Sequence, residues 1–220
     1  MKSWEKFLVS SHVVALSYSI AGLIFTKHFN HQPLVYKWLA VGLLFSALTE
    51  ILAEVFYRVS INPNFATIPY QLLSLATISA FFYHAMPWRS SKILIVVNVV
   101  YSSFTVINYI FIQKFQSASY PQTFRSLAVI FLSISFFYKM LKELPTHQLQ
   151  KDPLFWIVSG FFFSYSGKLA IYSVTHYLIT ILDDNMIIVW TIHNFLTLVS
   201  NICIIYAAYL RTHNSKFKVG

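Results

Sequence analysis

Seven long apolar runs constrain this chain more than any other feature: roughly 7–26, 35–57, 68–86, 93–113, 120–141, 154–178 and 187–210. A helix rising ~1.5 Å per residue needs about 20 residues to cross a hydrocarbon core of ~30 Å. Backbone amides in lipid must be satisfied within the membrane, which leaves helices or closed barrels. The runs are too long and too evenly apolar for barrel strands, so helices are expected. The breaks between them are "KHFNHQP", "RVSINPNFA", "PWRSSK", "QKFQSAS", "KELPTHQLQKDP" and "TILDDN". Such short connections predict a single all-α domain over residues 1–220, a polytopic seven-helix transmembrane bundle with sequential helices antiparallel.

Composition supports this reading. Charged residues make up 10% of the chain, against about a quarter in a soluble domain. The net charge of +9 does not argue for nucleic acid, because the basic residues stand at the ends of apolar runs and line no single face. Cys203 is the sole cysteine, so the chain has no internal disulfide or CxxC motif, and its expected role is that of a small apolar residue in a helix. Lys2 and Lys6 precede the first run as they would in a signal peptide. That run is long enough to span, however, and no clear small-x-small cleavage site follows it, so it is read as the first helix.

Lysine and arginine set the expected orientation. Lys2, Lys6, Arg58 and Lys114 fall on the side of the N-terminus. Lys27, Lys37, Arg89, Lys92, Lys139, Lys142, Lys151, Arg211, Lys216 and Lys218 fall on the other. The positive-inside rule then predicts an outer N-terminus and a cytoplasmic C-terminus. Only ten residues follow Leu210, too few for a signalling domain.

Two basic residues, Arg125 and Lys168, lie inside runs, where each costs about 3 kcal/mol on insertion scales. Helical rise places Lys168 about 21 Å above the start of its helix and Glu50 about 22 Å above the start of its own. The two are therefore level, and each is the other's expected partner. Glu54 and Arg58 continue the Glu50 stripe at i+4 and i+8, with Glu54 placed to pair with Arg58. Arg125, His193, Asn194, His12, Gln71 and Asn108 fall in the same half, and Tyr165, Lys168, Tyr172 and His176 share one helix face. Intramembrane charges face the bundle interior or a wet cavity. The pattern therefore predicts a polar ligand pocket in the outer half built from Glu50, Glu54, Gln71, Arg125, Tyr165, Lys168, Tyr172, His193 and Asn194, with Glu50 and Glu54 offsetting Lys168 and Arg125.

Several sharper readings find less support. His12, His176 and His193 at one level suggest a metal, but HxxxH and HExxH spacings are missing and the three aspartates fall in breaks, so neither metal nor other cofactor is expected. A retinal lysine would stand on the seventh helix, whereas Lys168 is on the sixth. Pro121-Gln122 matches the pair of PQ-loop and SWEET transporters, but the first helices hold no counterpart and no internal repeat is evident. Trp88, Trp156 and Trp190 fit an interfacial belt.

"DPLFWIVSGFFFSYSG" and "VWTIHNFLTLVSNI", with "SALTEILA" and "FRSLAVIFLSISFFYKML" earlier in the chain, resemble a group of small seven-helix integral membrane proteins of Bacteroidetes. The resemblance implies the fold and membrane location and equates the group's second-helix acid with Glu50 and its seventh-helix polar pair with His193 and Asn194. In that group the third helix often carries an acid where Gln71 stands, and a small polar residue often replaces Lys168. Some members lie beside sensor histidine kinases, which implies such a kinase as a partner. The function expected is a receptor-like sensory module, and not an enzyme, that binds a small polar or amphipathic ligand. It would signal through a separate cytoplasmic protein, with "KELPTHQLQKDP" as the contact. A small-molecule or proton-coupled transporter and a membrane-embedded lipid-modifying enzyme, with acid and histidine as general acid and base, are the rival classes. No nucleic-acid partner is expected.

Overall fold

The computed structural model describes residues 3–27, 29–62, 64–86, 91–113, 119–143, 149–182 and 186–216, with side chains excluded at 3–9, 30, 64, 91, 175–182, 186–188 and 214–216. It is all-α, with one helix for each apolar run: α1 Ser3–Thr26, α2 Leu34–Arg58, α3 Asn64–Ala85, α4 Ser91–Ile107, α5 Ser119–Glu143, α6 Pro153–Leu182 and α7 Met186–Lys216. Most of the helices extend a few residues beyond the apolar runs, whereas α4 ends at Ile107, short of its run. Six of them are long and apolar enough to cross a membrane; the described side chains of α1 begin only at Ser10 and form a shorter apolar helix to Thr26.

Local chemistry explains the boundaries. Asp152 caps α6: its Oδ1 accepts the Leu154 N–H at 2.8 Å, and Pro153 occupies the first helical position, where a missing N–H costs nothing. At the end of α2, Ser60 adopts φ 60°. The Ile61 N–H reaches back to the Phe56 carbonyl at 2.8 Å and that of Ser60 to Tyr57 at 3.2 Å, a Schellman closure made without glycine. The fourth run does not stay α-helical to its end. Asn108–Ile112 widens into a π-turn, which Asn108 ties to Gln113 (2.9 Å) and Gln113 to Ser119 (2.7 Å). Asn108 thus joins α4 to α5.

Helices α1, α2, α3, α5, α6 and α7 form a closed ring in that order, with α7 returning to α1 and α4 on the flank of α3 and α5. Neighbours in sequence do pack, as short loops predict, but the ring is closed by two non-sequential contacts, α1 on α7 and α3 on α5. Close approach of α6 and α7 depends on small residues. A Cβ on Gly160 would lie 3.0 Å from Cys203 Cβ and 3.1 Å from the Ser200 carbonyl. Asn201 donates to Ser17 Oγ at 2.7 Å across the α1–α7 seam.

Aromatic rings fill the axis. Phe81 meets Phe82 and Phe161 edge-on at 5.3 and 5.6 Å between centroids, and Phe161 meets Tyr165 at 6.4 Å. Around them Leu75, Ile157, Val158 and Ile204 are fully buried. The outer face is apolar instead: Leu16, Leu23, Ile95, Phe131 and Ile202 are each more than 60% exposed. A water-facing bundle would not present apolar patches of that extent, whereas lipid would cover them.

Candidate functional site

We call the end of the bundle that carries the start of α1 the N-side. In that half a cavity of ≈340 Å³ opens between the ring helices. Glu50 of α2, Gln71 of α3, Arg125 of α5, Lys168 and Tyr172 of α6, and His193 and Asn194 of α7 all line it. Two of the residues expected there do not. Tyr165 lies beneath, lining a narrower space of ≈50 Å³ towards the middle of the bundle. Glu54 turns away to His12 Nε2 at 2.9 Å and to Arg58, whose Nε donates at 3.0 Å and whose Nη2 makes a further bond. Glu54 therefore does not offset Lys168 or Arg125. One helical turn above Glu50, it meets an imidazole and a guanidinium at the N-side rim. The His176 side chain, Asp183 and Asp184 lie outside what the structure describes.

The expected contact between Glu50 and Lys168 is also different in kind. Both line the cavity, yet no acid lies within 4.0 Å of the Lys168 amine among the described residues. Ring order gives the reason. In the sequence α1–α2–α3–α5–α6–α7, α2 and α6 stand on opposite sides, so equal depth leaves the cavity between their side chains.

Each wall is set by its own network. The Arg125 guanidinium, 3% exposed, donates from Nη1 to Ser74 Oγ at 2.7 Å. It lies over the Tyr70 and Tyr165 rings, 5.0 and 5.9 Å from their centroids. Its Nε is buried with no hydrogen-bond partner among the described residues. Lys168, 5% exposed, places Nζ 5.4 Å from the Tyr165 centroid. Cation–π contacts of this kind contribute roughly 0.5–2 kcal/mol each. The Tyr172 hydroxyl lies 2.8 Å from His193 Nδ1, Asn194 donates to Ser10 and Ser11 of α1 at 2.9 and 3.3 Å, and the Tyr101 hydroxyl of α4 donates to Gln71 Oε1 at 3.1 Å.

Sequence reasoning passed over Tyr18, Tyr70 and Ser74, and read Trp190, which lines the cavity, only as part of an interfacial belt. Tyr70 and Ser74 share a face of α3 at i and i+4 and flank Arg125, but on paper they look like any small or aromatic packing residue. His12 and His193, weighed together for a metal, go to different partners, and no three metal-ligating side chains come together among the described residues. Comparison of the chain with family models, curated proteins and solved structures gives no match.

Proposed function

We propose that this chain is a receptor-like membrane module that takes a small polar or amphipathic ligand into its N-side cavity and passes the event to a separate protein at the opposite face. The observation that carries this reading is the one-sided polar chamber. Six helices contribute to its walls, while Phe81, Phe82 and Phe161 fill the axis beneath it. A volume of ≈340 Å³ falls within the range of small-molecule sites. A ligand bridging opposite members of a closed ring changes their separation, and rigid helices carry that change to their far ends.

On the orientation expected from lysine and arginine, the chamber faces outward from a bacterial inner membrane. The reader at the other face is then a cytoplasmic protein such as a sensor histidine kinase, docking near residues 142–153. A carrier would use the same acids but needs a second access route through the aromatic plug. A lipid-modifying enzyme would need Glu50 and His193 to act on one substrate atom.

Native mass spectrometry of the full chain in mild detergent tests the proposal. A bound small molecule is expected in the wild type and is lost in Glu50→Gln or Lys168→Met, and its removal alters amide exchange at the far ends of α5 and α6. An empty wild-type cavity, with exchange unchanged by any lipid or metabolite extract, would refute it. Uptake into liposomes abolished by Glu50→Gln would make the chain a carrier instead.

A further inference from the structure

The charge balance of the cavity specifies what kind of ligand it takes. Among the lining residues two cations, Arg125 and Lys168, face one acid, Glu50. The only other acid nearby on α2, Glu54, is occupied by His12 and Arg58. Among the described lining residues basic side chains thus outnumber acids two to one, and a buried ion is tolerated only when something compensates it. The guanidinium also keeps an unpartnered donor: Nη1 is taken by Ser74, whereas Nε, on the edge it shares with Nη2, reaches no acceptor among the described residues. The guanidinium lies over the Tyr70 and Tyr165 rings, which restrict its orientation. Planar guanidinium edges match carboxylates and phosphates. The remaining wall is mostly aromatic and aliphatic, with Tyr18, Tyr70, Tyr172 and Trp190 contributing rings.

Resting on the receptor reading for its biological sense, we propose that the ligand is a small amphipathic organic anion. Its carboxylate or phosphate head sits between Arg125 and Lys168 and its apolar body lies against the aromatic wall. Glu50, across the ring, limits the head to about one compensating charge, which favours a monoanion over a polyanion.

Four probes of one shape separate the possibilities: benzoate, phenyl phosphate, benzylamine and benzyl alcohol, titrated into the purified full chain in nanodiscs. Trp190 fluorescence and thermal stability are the readouts. Benzoate or phenyl phosphate is expected to bind saturably and to raise the melting temperature, with the amine and alcohol at least about tenfold weaker. Lys168→Met should weaken the anion about tenfold or more, and Lys168→Arg should restore it, which separates lost charge from a damaged fold. Binding of the amine or alcohol as tightly as the acids, an anion affinity unchanged in Lys168→Met, or no binding by any probe would overturn the assignment. Anion binding that depends on Lys168 but leaves amide exchange at the far helix ends unchanged would uphold the anion site and sink the receptor reading alone.

Discussion

If the cavity charges are kept for a ligand and not for packing, removing both members of the Glu50–Lys168 couple should not harm the fold. The perturbation is the double variant Glu50→Gln with Lys168→Met, which holds side-chain volume nearly constant. Each charge at mid-membrane depth costs about 3 kcal/mol on insertion scales. Their mutual attraction acts across more than 4.0 Å, since no ion pair forms, and at an effective dielectric of about 20 it is worth less than about 4 kcal/mol. Lys168 also loses its contact with the Tyr165 ring, about 1 kcal/mol, but escapes repulsion from Arg125 in the same cavity. The costs removed exceed the attractions lost, so the double variant should be more stable than the wild type by about 1 kcal/mol or more. Buried pairs replaced by apolar or neutral isosteres commonly behave in this way. The assay is reversible unfolding by SDS in mixed micelles, followed by near-ultraviolet circular dichroism of the aromatic core. Destabilisation by more than about 2 kcal/mol would show that the couple holds the bundle together and would remove the ground for assigning it to a ligand.

Four further outcomes follow from other parts of the molecule. Gly160→Val should drive α6 from α7, because its Cβ would meet Cys203 Cβ at 3.0 Å and the Ser200 carbonyl at 3.1 Å; a loss of about 1–3 kcal/mol in the same unfolding assay is expected, and wild-type stability would refute the close approach. Asp152→Ala should cost about 1 kcal/mol by uncapping α6, read as faster amide exchange confined to its first turn. Glu54→Gln should cost no more than about 1 kcal/mol, since its partners are partly exposed, and should leave benzoate affinity unchanged; loss of affinity would return Glu54 to the pocket. In a Cys203→Ala background, cysteine placed by Ser60→Cys should react with an impermeant maleimide on intact cells while Thr212→Cys stays protected. The reverse pattern would invert the orientation.

The polar groups of the N-side half show how far the sequence can be read. Glu50, Arg125, Lys168, Tyr172, His193 and Asn194 were placed at one level by counting residues at ~1.5 Å each, and they do line one cavity. The i+4 spacing placed Glu54 to pair with Arg58, and it does so; the further expectation that it helps offset Lys168 and Arg125 fails, because its other partner is His12. Depth along a helix follows from covalent geometry and carries over to the fold. Azimuth and partner depend on how helices pack, which residue spacing along one helix does not encode. Asn108 illustrates the same limit: at the start of a π-turn, it is spent on Gln113 and through it on Ser119, and does not line the cavity.

The sequence by itself determined that the chain forms seven helices, where each begins and ends to within a few residues, and at what height its buried charges stand. Those properties follow from apolar run length, from capping residues such as Asp152, and from the fixed rise of a helix. The tertiary structure alone decided that α4 stands outside the ring, that α2 faces α6 across it, and that Lys168 and Glu50 therefore meet over a cavity and not in a salt bridge. The reason is that helix order comes from which faces interlock, through contacts such as Gly160 on Ser200 and Asn201 on Ser17, between residues far apart in the chain.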